Sequence, residues 1–169
     1  YGPFEQASVL RGREDFYMDM IAEPESCRRI VDHVTDVIIR AQDLYLEEVS
    51  TDIDFFEIPG DDYGGMEDLM ISPDHFRSMF KPALKRIVEN VKSHRPDLPV
   101  VFHTDGAVGK IIGDFVEIGV DVLNPLEPLP ATDWAAIKAQ YGDRLCFMGG
   151  VDLKEALPGS LEEVERDVQ

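Results

Sequence analysis

Three apolar runs recur along the second half of the chain: residues 99–103 (Pro-Val-Val-Phe-His), 120–124 (Val-Asp-Val-Leu-Asn) and 144–148 (Arg-Leu-Cys-Phe-Met). They begin near residues 100, 121 and 145, only 21 and 24 residues apart. Helical patterns fill the intervals, from about Val108 to Ile118 and from Trp134 to Tyr141, and helical sequence resumes from Leu153. Near-continuous apolar strands alternating with helices require a parallel sheet, because a strand buried on both faces cannot alternate polar and apolar residues. Repeats this tight suit a closed (β/α)₈ TIM barrel, in which each unit takes roughly 30 residues. A doubly wound open sheet is the alternative.

The first half fits the same plan. Residues 53–58 (Ile-Asp-Phe-Phe-Glu-Ile) read as another strand, ended by Pro59 and Gly60. Before it, Pro24 to Val49 carries apolar residues at Ile30, Val31, Val34, Val37, Ile38, Ala41, Leu44 and Tyr45. Spacings of three and four make this an amphipathic helix with Pro24 in its first turn. A shorter helix is expected from about Glu14 to Ile21. Ser72 followed by Pro73 marks another helix start, with Ser as N-cap, and Pro82 should kink that helix or divide it. Tyr1 reads as the end of a strand and Glu162–Arg166 as the middle of a helix. The expectation is therefore one domain, 1–169, holding a TIM barrel in part.

Composition removes several functions. The net charge is -18, with 34 acidic against 16 basic residues. Nucleic acid and anionic membranes need a positive footprint, so neither is expected as a partner. No run of 18 apolar residues exists to span a bilayer. Two cysteines, Cys27 and Cys146, form no disulfide framework and fit a reducing, cytoplasmic setting. Cys27 on its helix is expected to be inert, and Cys146 to be buried in its strand as a small hydrophobe. A partial barrel exposes strand edges, so the chain alone is expected to be either a homo-oligomer or poorly stable.

Function in a parallel α/β fold sits beyond the C-terminal ends of the strands. Those ends here carry Glu57, Asp61, Asp62 and Tyr63; then His103, Thr104, Asp105 and Gly106; then Asn124 and Glu127; then Gly149, Gly150 and Asp152. One polar group per strand end is the pattern of a catalytic mouth. Asp61 and Asp62 could also merely cap a turn. A strand-end His is often structural, but His103 is followed two residues later by Asp105, and residues two apart on an extended chain share a side. That pairing suits a metal ligand set or a proton relay. No phosphate-binding loop, nucleophile elbow or Cys-x-x-Cys pair is present.

These segments together resemble the uroporphyrinogen decarboxylase superfamily. The resemblance rests on Gly2-Pro3-Phe4, on residues 61–65 (Asp-Asp-Tyr-Gly-Gly) through Leu69-Met70-Ile71-Ser72-Pro73, and on Phe80-Lys81-Pro82. It continues through residues 102–106 (Phe-His-Thr-Asp-Gly), 119–125 (Gly-Val-Asp-Val-Leu-Asn-Pro) and 149–152 (Gly-Gly-Val-Asp). It implies a (β/α)₈ barrel of about twice this length, of which the chain holds the end of strand three through strand seven. Two chemistries are implied. One is cofactor-free decarboxylation of a porphyrinogen, using an early Asp, an early Arg, a Tyr after strand three and a late His. The other is methyl transfer between a corrinoid protein and a thiol or folate, whose thiol branch binds zinc through His-x-Cys and a later Cys. Here Val9 stands where the decarboxylase Tyr is expected, and Asp105 stands in place of the Cys after His103.

The leading expectation is accordingly a methyltransferase-like enzyme acting on a corrinoid-borne methyl group or a methylated small molecule. Catalytic residues are Asp61, Asp62, His103 and Asp105, with His103 and Asp105 holding zinc. Substrate is bound by Tyr63, Asn124, Glu127 and Asp152. The alternatives are decarboxylation of uroporphyrinogen or a related acid, without a cofactor, and a binding barrel without chemistry.

Overall fold

The computed structural model describes every residue of the chain except Leu126, Leu153, Glu155 and Gln169, and all but the side chain of Trp134. Strands β1 (Phe56–Ile58), β2 (Val100–His103), β3 (Val122–Asn124) and β4 (Cys146–Phe147) form a sheet in the order β1-β2-β3-β4. Every pairing is parallel, and the register runs Glu57 to Val101 to Val122 to Cys146 across the four. Sequential parallel strands joined through helices are the arrangement of a barrel wall rather than of a doubly wound sheet, whose strand order reverses. The chain thus forms a TIM barrel in part.

The helices follow the expected plan. α1 (Pro3–Arg11), α2 (Arg13–Ala22) and α3 (Pro24–Val49) precede β1. Between β1 and β2 run α4 (Pro73–His75), a π-helical turn (Phe76–Phe80) and α5 (Lys81–His94). The Ser72 hydroxyl accepts the His75 N–H, as its N-cap position requires. Pro82 has no N–H to continue the α-pattern, and just ahead of it the Lys81 N–H reaches back five residues to the Phe76 carbonyl. The expected division is therefore a widened turn. A 3₁₀ turn (Gly109–Ile111) leads into α6 (Ile112–Glu117), and α7 (Trp134–Tyr141) leads into β4. The helix expected from Leu153 begins later: residues 156–158 are turns and α8 spans Leu161–Val168, while Leu153 itself lies outside the described residues.

The two faces of the sheet differ. Ile58, Phe102 and Leu123 lie in one row and are buried against the helices. There they meet an aromatic nest of Phe4, Phe16, Tyr63, Phe76, Phe80 and Phe115, with Phe4 stacked on Tyr63 at 5.2 Å and Tyr63 edge-on to Phe76 at 4.9 Å. The opposite row, Glu57-Val101-Val122-Cys146, faces the barrel interior, and Cys146 is exposed rather than buried. Its side chain alternates away from buried Leu145, so the apolar run belongs to both faces while the strand is covered on one. The apolar stripe of α3 is also only partly covered. Val31 and Val34 are buried, whereas Val37, Leu44 and Tyr45 are exposed. Val37 and Tyr45 border an open groove of about 750 Å³ beside β1. No helix among the described residues is long and apolar enough to cross a membrane.

Candidate functional site

The loops after β1 and β2 touch backbone to backbone. The Gly64 N–H donates to the Asp105 carbonyl at 3.1 Å, and the Ala107 N–H to the Gly65 carbonyl at 2.8 Å. A Cβ on Gly64 would stand 2.4 Å from the Ala107 nitrogen, and one on Gly106, whose φ is +86°, would stand 2.3 Å from the Gly64 carbonyl carbon. Only glycine permits that approach. The contact draws the end of β1 against the end of β2 and fixes the carboxylates carried on both.

Alternation then sorts the side chains. Along 61–63, Asp61 and Tyr63 turn inward and are fully buried, while Asp62 stays on the rim. Along 103–105, Thr104 turns inward and His103 and Asp105 stay on the rim. His103 Nε2 lies 3.8 Å from Asp62 Oδ1 and 3.7 Å from Asp105 Oδ2. Its Nδ1 lies 3.0 Å from Asn124 Oδ1, one strand over. An amide oxygen only accepts, so Nδ1 donates to Asn124 and Nε2 is turned toward the two carboxylates. The Asn124 amide nitrogen donates to the Met148 carbonyl at 3.4 Å, which agrees with that orientation. Asp62 Oδ1 accepts the Asp105 N–H at 2.9 Å, tying the two acids together. Among the described residues, Asp62, His103 and Asp105 form a group whose ligand atoms all lie within 4.8 Å of one another, close enough to hold a metal ion.

The electrostatics of the rim are acidic. Burial, and then the charges of Asp62 and Glu127, hold the Asp105 carboxyl above its usual range against the pull of His103 and Lys154. Burial and the Asp62 charge likewise raise Glu5, against Arg13. Glu127 accepts the Gly106 N–H at 2.8 Å, and Lys154 Nζ lies 3.2 Å from its other oxygen.

Of the residues expected to act, Asp62, His103, Asp105 and Asn124 come together, with Glu127 next to them. Asp61 does not join them. Its carboxylate accepts the backbone N–H groups of Phe4 and Glu5 and the Tyr63 hydroxyl, all at 2.9 Å. It caps α1, whose own N-cap, Gly2, has no side chain. Burial pushes its pKa up to about 7, and the three donors pull the other way. Tyr63 does not face a substrate either, because its ring is sealed in the aromatic nest and its hydroxyl is committed to Asp61. Burial pushes the phenol well above its usual value. Asp152 is engaged elsewhere: its Oδ1 accepts the Lys154 N–H, and its own N–H donates to Asp167 on α8. Sequence reasoning passes over Glu5 and Lys154. Glu5 has no local signal, since it reaches the rim only because the Gly2 N–H donates to the Gly60 carbonyl and so brings the start of α1 there.

The chain matches the uroporphyrinogen decarboxylase (URO-D) family over residues 1–169. It is 35% identical over 86 residues to uroporphyrinogen decarboxylase 2, chloroplastic, of Arabidopsis thaliana, covering 48% of this chain and 20% of that protein. It is 26% identical over 153 residues to uroporphyrinogen decarboxylase 1, chloroplastic, of Oryza sativa subsp. japonica, covering 86% of this chain and 34% of that one. Among solved structures it resembles a methyltransferase from Methanosarcina mazei with a TM-score of 0.77 at 24% identity, over 99% of this chain and 46% of the other. The chain thus spans between a fifth and a half of the length of these proteins.

Proposed function

The chain belongs to the uroporphyrinogen decarboxylase family, and from that premise we propose that it serves a methyltransferase-like enzyme, moving a methyl group from a corrinoid protein or a methylated small molecule to an acceptor. The observation that carries this reading is the convergence of His103 Nε2 with Asp62 and Asp105 at 3.8 and 3.7 Å. Val9 occupies the position on α1 where the resemblance places the decarboxylase Tyr, and Tyr63 is buried. Both cysteines lie apart from the cluster, Cys27 in the helical core with its thiol 3.8 Å from the Phe16 carbonyl and Cys146 on β4.

His103 and Asp105 can hold a zinc ion, which tolerates imidazole and carboxylate donors and would supply Lewis acidity to the acceptor. Asp62 is placed to take the proton of the acceptor X–H. The freed lone pair on X then forms the bond to the methyl carbon, and the donor–methyl bond breaks with its electron pair staying on the donor. Asn124 holds the His103 ring with Nε2 turned toward the two acids. Glu127 and Lys154 border the cluster and would orient substrate.

The test uses the full-length protein with methylcobalamin as donor and a panel of thiol and hydroxyl acceptors. Loss of the methyl–cobalt absorbance in the wild type, abolished in His103→Ala with an unchanged circular dichroism spectrum, supports the proposal. Release of CO₂ from uroporphyrinogen III, without methyl transfer, would replace it by the second reading, decarboxylation, which the names of the plant relatives favour.

A further inference from the structure

Resting on the methyl-transfer reading and deepening it, we propose that Lys154 and Glu127 form a recognition pair for a neutral primary carboxamide on the edge of the corrinoid methyl donor. Lys154 follows β4, yet its side chain meets groups carried by other strand ends. Nζ stands 3.2 Å from Glu127 Oε1, past β3, and 3.1 Å from Met66 Sδ, past β1. β1 and β4 are three intervals apart in the sheet, about 14 Å at roughly 4.8 Å each. An ammonium that meets groups from both sides therefore lies over the row of strand ends rather than beside its own. Its charge acts on Asp105, past β2, which agrees with that position.

Both partners are held from behind. Asp152 Oδ1 accepts the Lys154 N–H at 2.7 Å, and the Asp152 N–H donates to Asp167 of α8 at 2.8 Å. Glu127 Oε2 accepts the Gly106 N–H at 2.8 Å, so its carboxylate stays in place whatever Lys154 does. The Glu127 side chain is 15% exposed and that of Lys154 51%.

The hydrogen-bonding capacity of the pair is only partly used. An ammonium has three donors; here one acceptor is a carboxylate and another is a thioether, which accepts weakly. A carboxylate has about four acceptor sites, and the contacts to Gly106 and Lys154 take two of those on Glu127. A carbonyl oxygen that displaces the Met66 sulfur, with an N–H that reaches Glu127, completes both groups at once. Charge chooses among ligands of that shape. A carboxylate in the same place would stand beside Glu127 and Asp105 and be repelled by both, and an ammonium would be repelled by Lys154. The pair is neutral as a whole, so a neutral group with one acceptor and one donor end fits it. The corrinoid ring carries primary carboxamides around its edge.

Binding tests this without turnover. Purified full-length protein is dialysed to equilibrium against hydroxocobalamin and, separately, against its monocarboxylates, in each of which a single side-chain carboxamide has been hydrolysed. Saturable binding of hydroxocobalamin is expected, with at least one monocarboxylate bound about tenfold more weakly, the scale of one hydrogen bond to a charged group. Lys154→Ala should weaken hydroxocobalamin by a similar factor, and Lys154→Arg should restore it. Glu127→Gln should reverse the order, so that the disfavoured monocarboxylate binds more tightly than its parent. A lysine that merely pins a loop would produce no such reversal. Circular dichroism should be unchanged in all three variants. No saturable binding by folded wild type, equal affinity for parent and every monocarboxylate, or an order that survives Glu127→Gln would each overturn the proposal. Methyl transfer with undiminished cobalamin affinity in Lys154→Ala sinks this inference alone, and carboxamide selection without methyl transfer sinks the reaction alone.

Discussion

The carboxylates of Asp61 and Asp62 leave adjacent backbone positions in opposite directions, one into the aromatic nest beneath α1 and the other to the rim beside His103. Asp61 is fully buried, with three donors aimed at it. Asp62 is 38% exposed and is surrounded by other acids and one imidazole. The first arrangement is satisfied within the chain; the second is not. A buried acceptor matched to its donors holds the fold together. A rim where several acids gather around one imidazole leaves attraction for something from outside. One strand end therefore supplies both the anchor of α1 and the polar group at the mouth, and the pleat alone decides which residue does which.

The largest expected effect lies on the buried side. Asp61→Ala removes the cap of α1 and leaves the Tyr63 hydroxyl and two backbone N–H groups without their acceptor. About 3 kcal/mol of stability should be lost, since each buried polar group left unpaired costs roughly 1–3 kcal/mol. Urea unfolding followed by circular dichroism measures it; a loss below about 1 kcal/mol would mean that the cap is dispensable and that the contrast between the two acids is wrong. Gly64→Ala comes next. Its Cβ would meet the Ala107 nitrogen at 2.4 Å, so the loops must part, with an expected loss of about 2 kcal/mol. Unlike Asp61→Ala, it should also disperse the cluster at the rim and weaken any metal binding at the same time.

Acidity separates the two sides further. The folded-state pKa of Asp61 is about 7, against 3.8 as its ordinary value. A raised pKa means that folding favours the protonated form. Its contribution is complete below about pH 4 and is lost progressively as the pH rises toward 7, by about 1.4 kcal/mol for each pH step of one between those limits. Stability of the wild type measured against Asp61→Asn at pH 5, 6, 7 and 8 should fall across the series and level off above 7. The Asn variant carries nearly the same charge background, so general repulsion cancels in the difference. A flat difference would indicate that the three donors outweigh burial and keep the carboxylate ionised.

How far the sequence foretells this division follows from the same pleat. The beat of strands and helices, Ser72-Pro73 and the disruption near Pro82 are legible because each depends on local chemistry. The rim cluster is legible too: His103, Asp105, Asp62 and Asn124 lie where strand ends put them. Sequence reasoning also sends Asp61 and Tyr63 to the rim, because nothing local says which member of Asp61-Asp62-Tyr63 faces inward. That depends on where α1 returns to the sheet, a contact between residues 56 or more positions apart. Cys146, Val37 and Tyr45 are expected to be covered only because apolar character is equated with burial. Their exposure reflects which faces of β4 and α3 have neighbours, which no periodicity records.

The smallest expected effect is on the exposed acid, and its sign is the informative part. Asp62→Asn removes a negative charge that helps to raise both Glu5 and Asp105. Its Oδ1 remains able to accept the Asp105 N–H, so little is lost structurally. Relief of repulsion between half-exposed acids is worth a few tenths of a kcal/mol after solvent screening. Asp62→Asn should therefore be neutral or slightly stabilising at pH 7 in the presence of chelator, the reverse of Asp61→Ala. The gain should fade in 1 M salt, where the Debye length falls to about 3 Å. Unfolding midpoints under these two conditions decide the matter. A destabilisation of Asp62→Asn above about 1 kcal/mol in chelator would place Asp62 with Asp61 as a structural acid and remove the distinction between the two sides of this strand end.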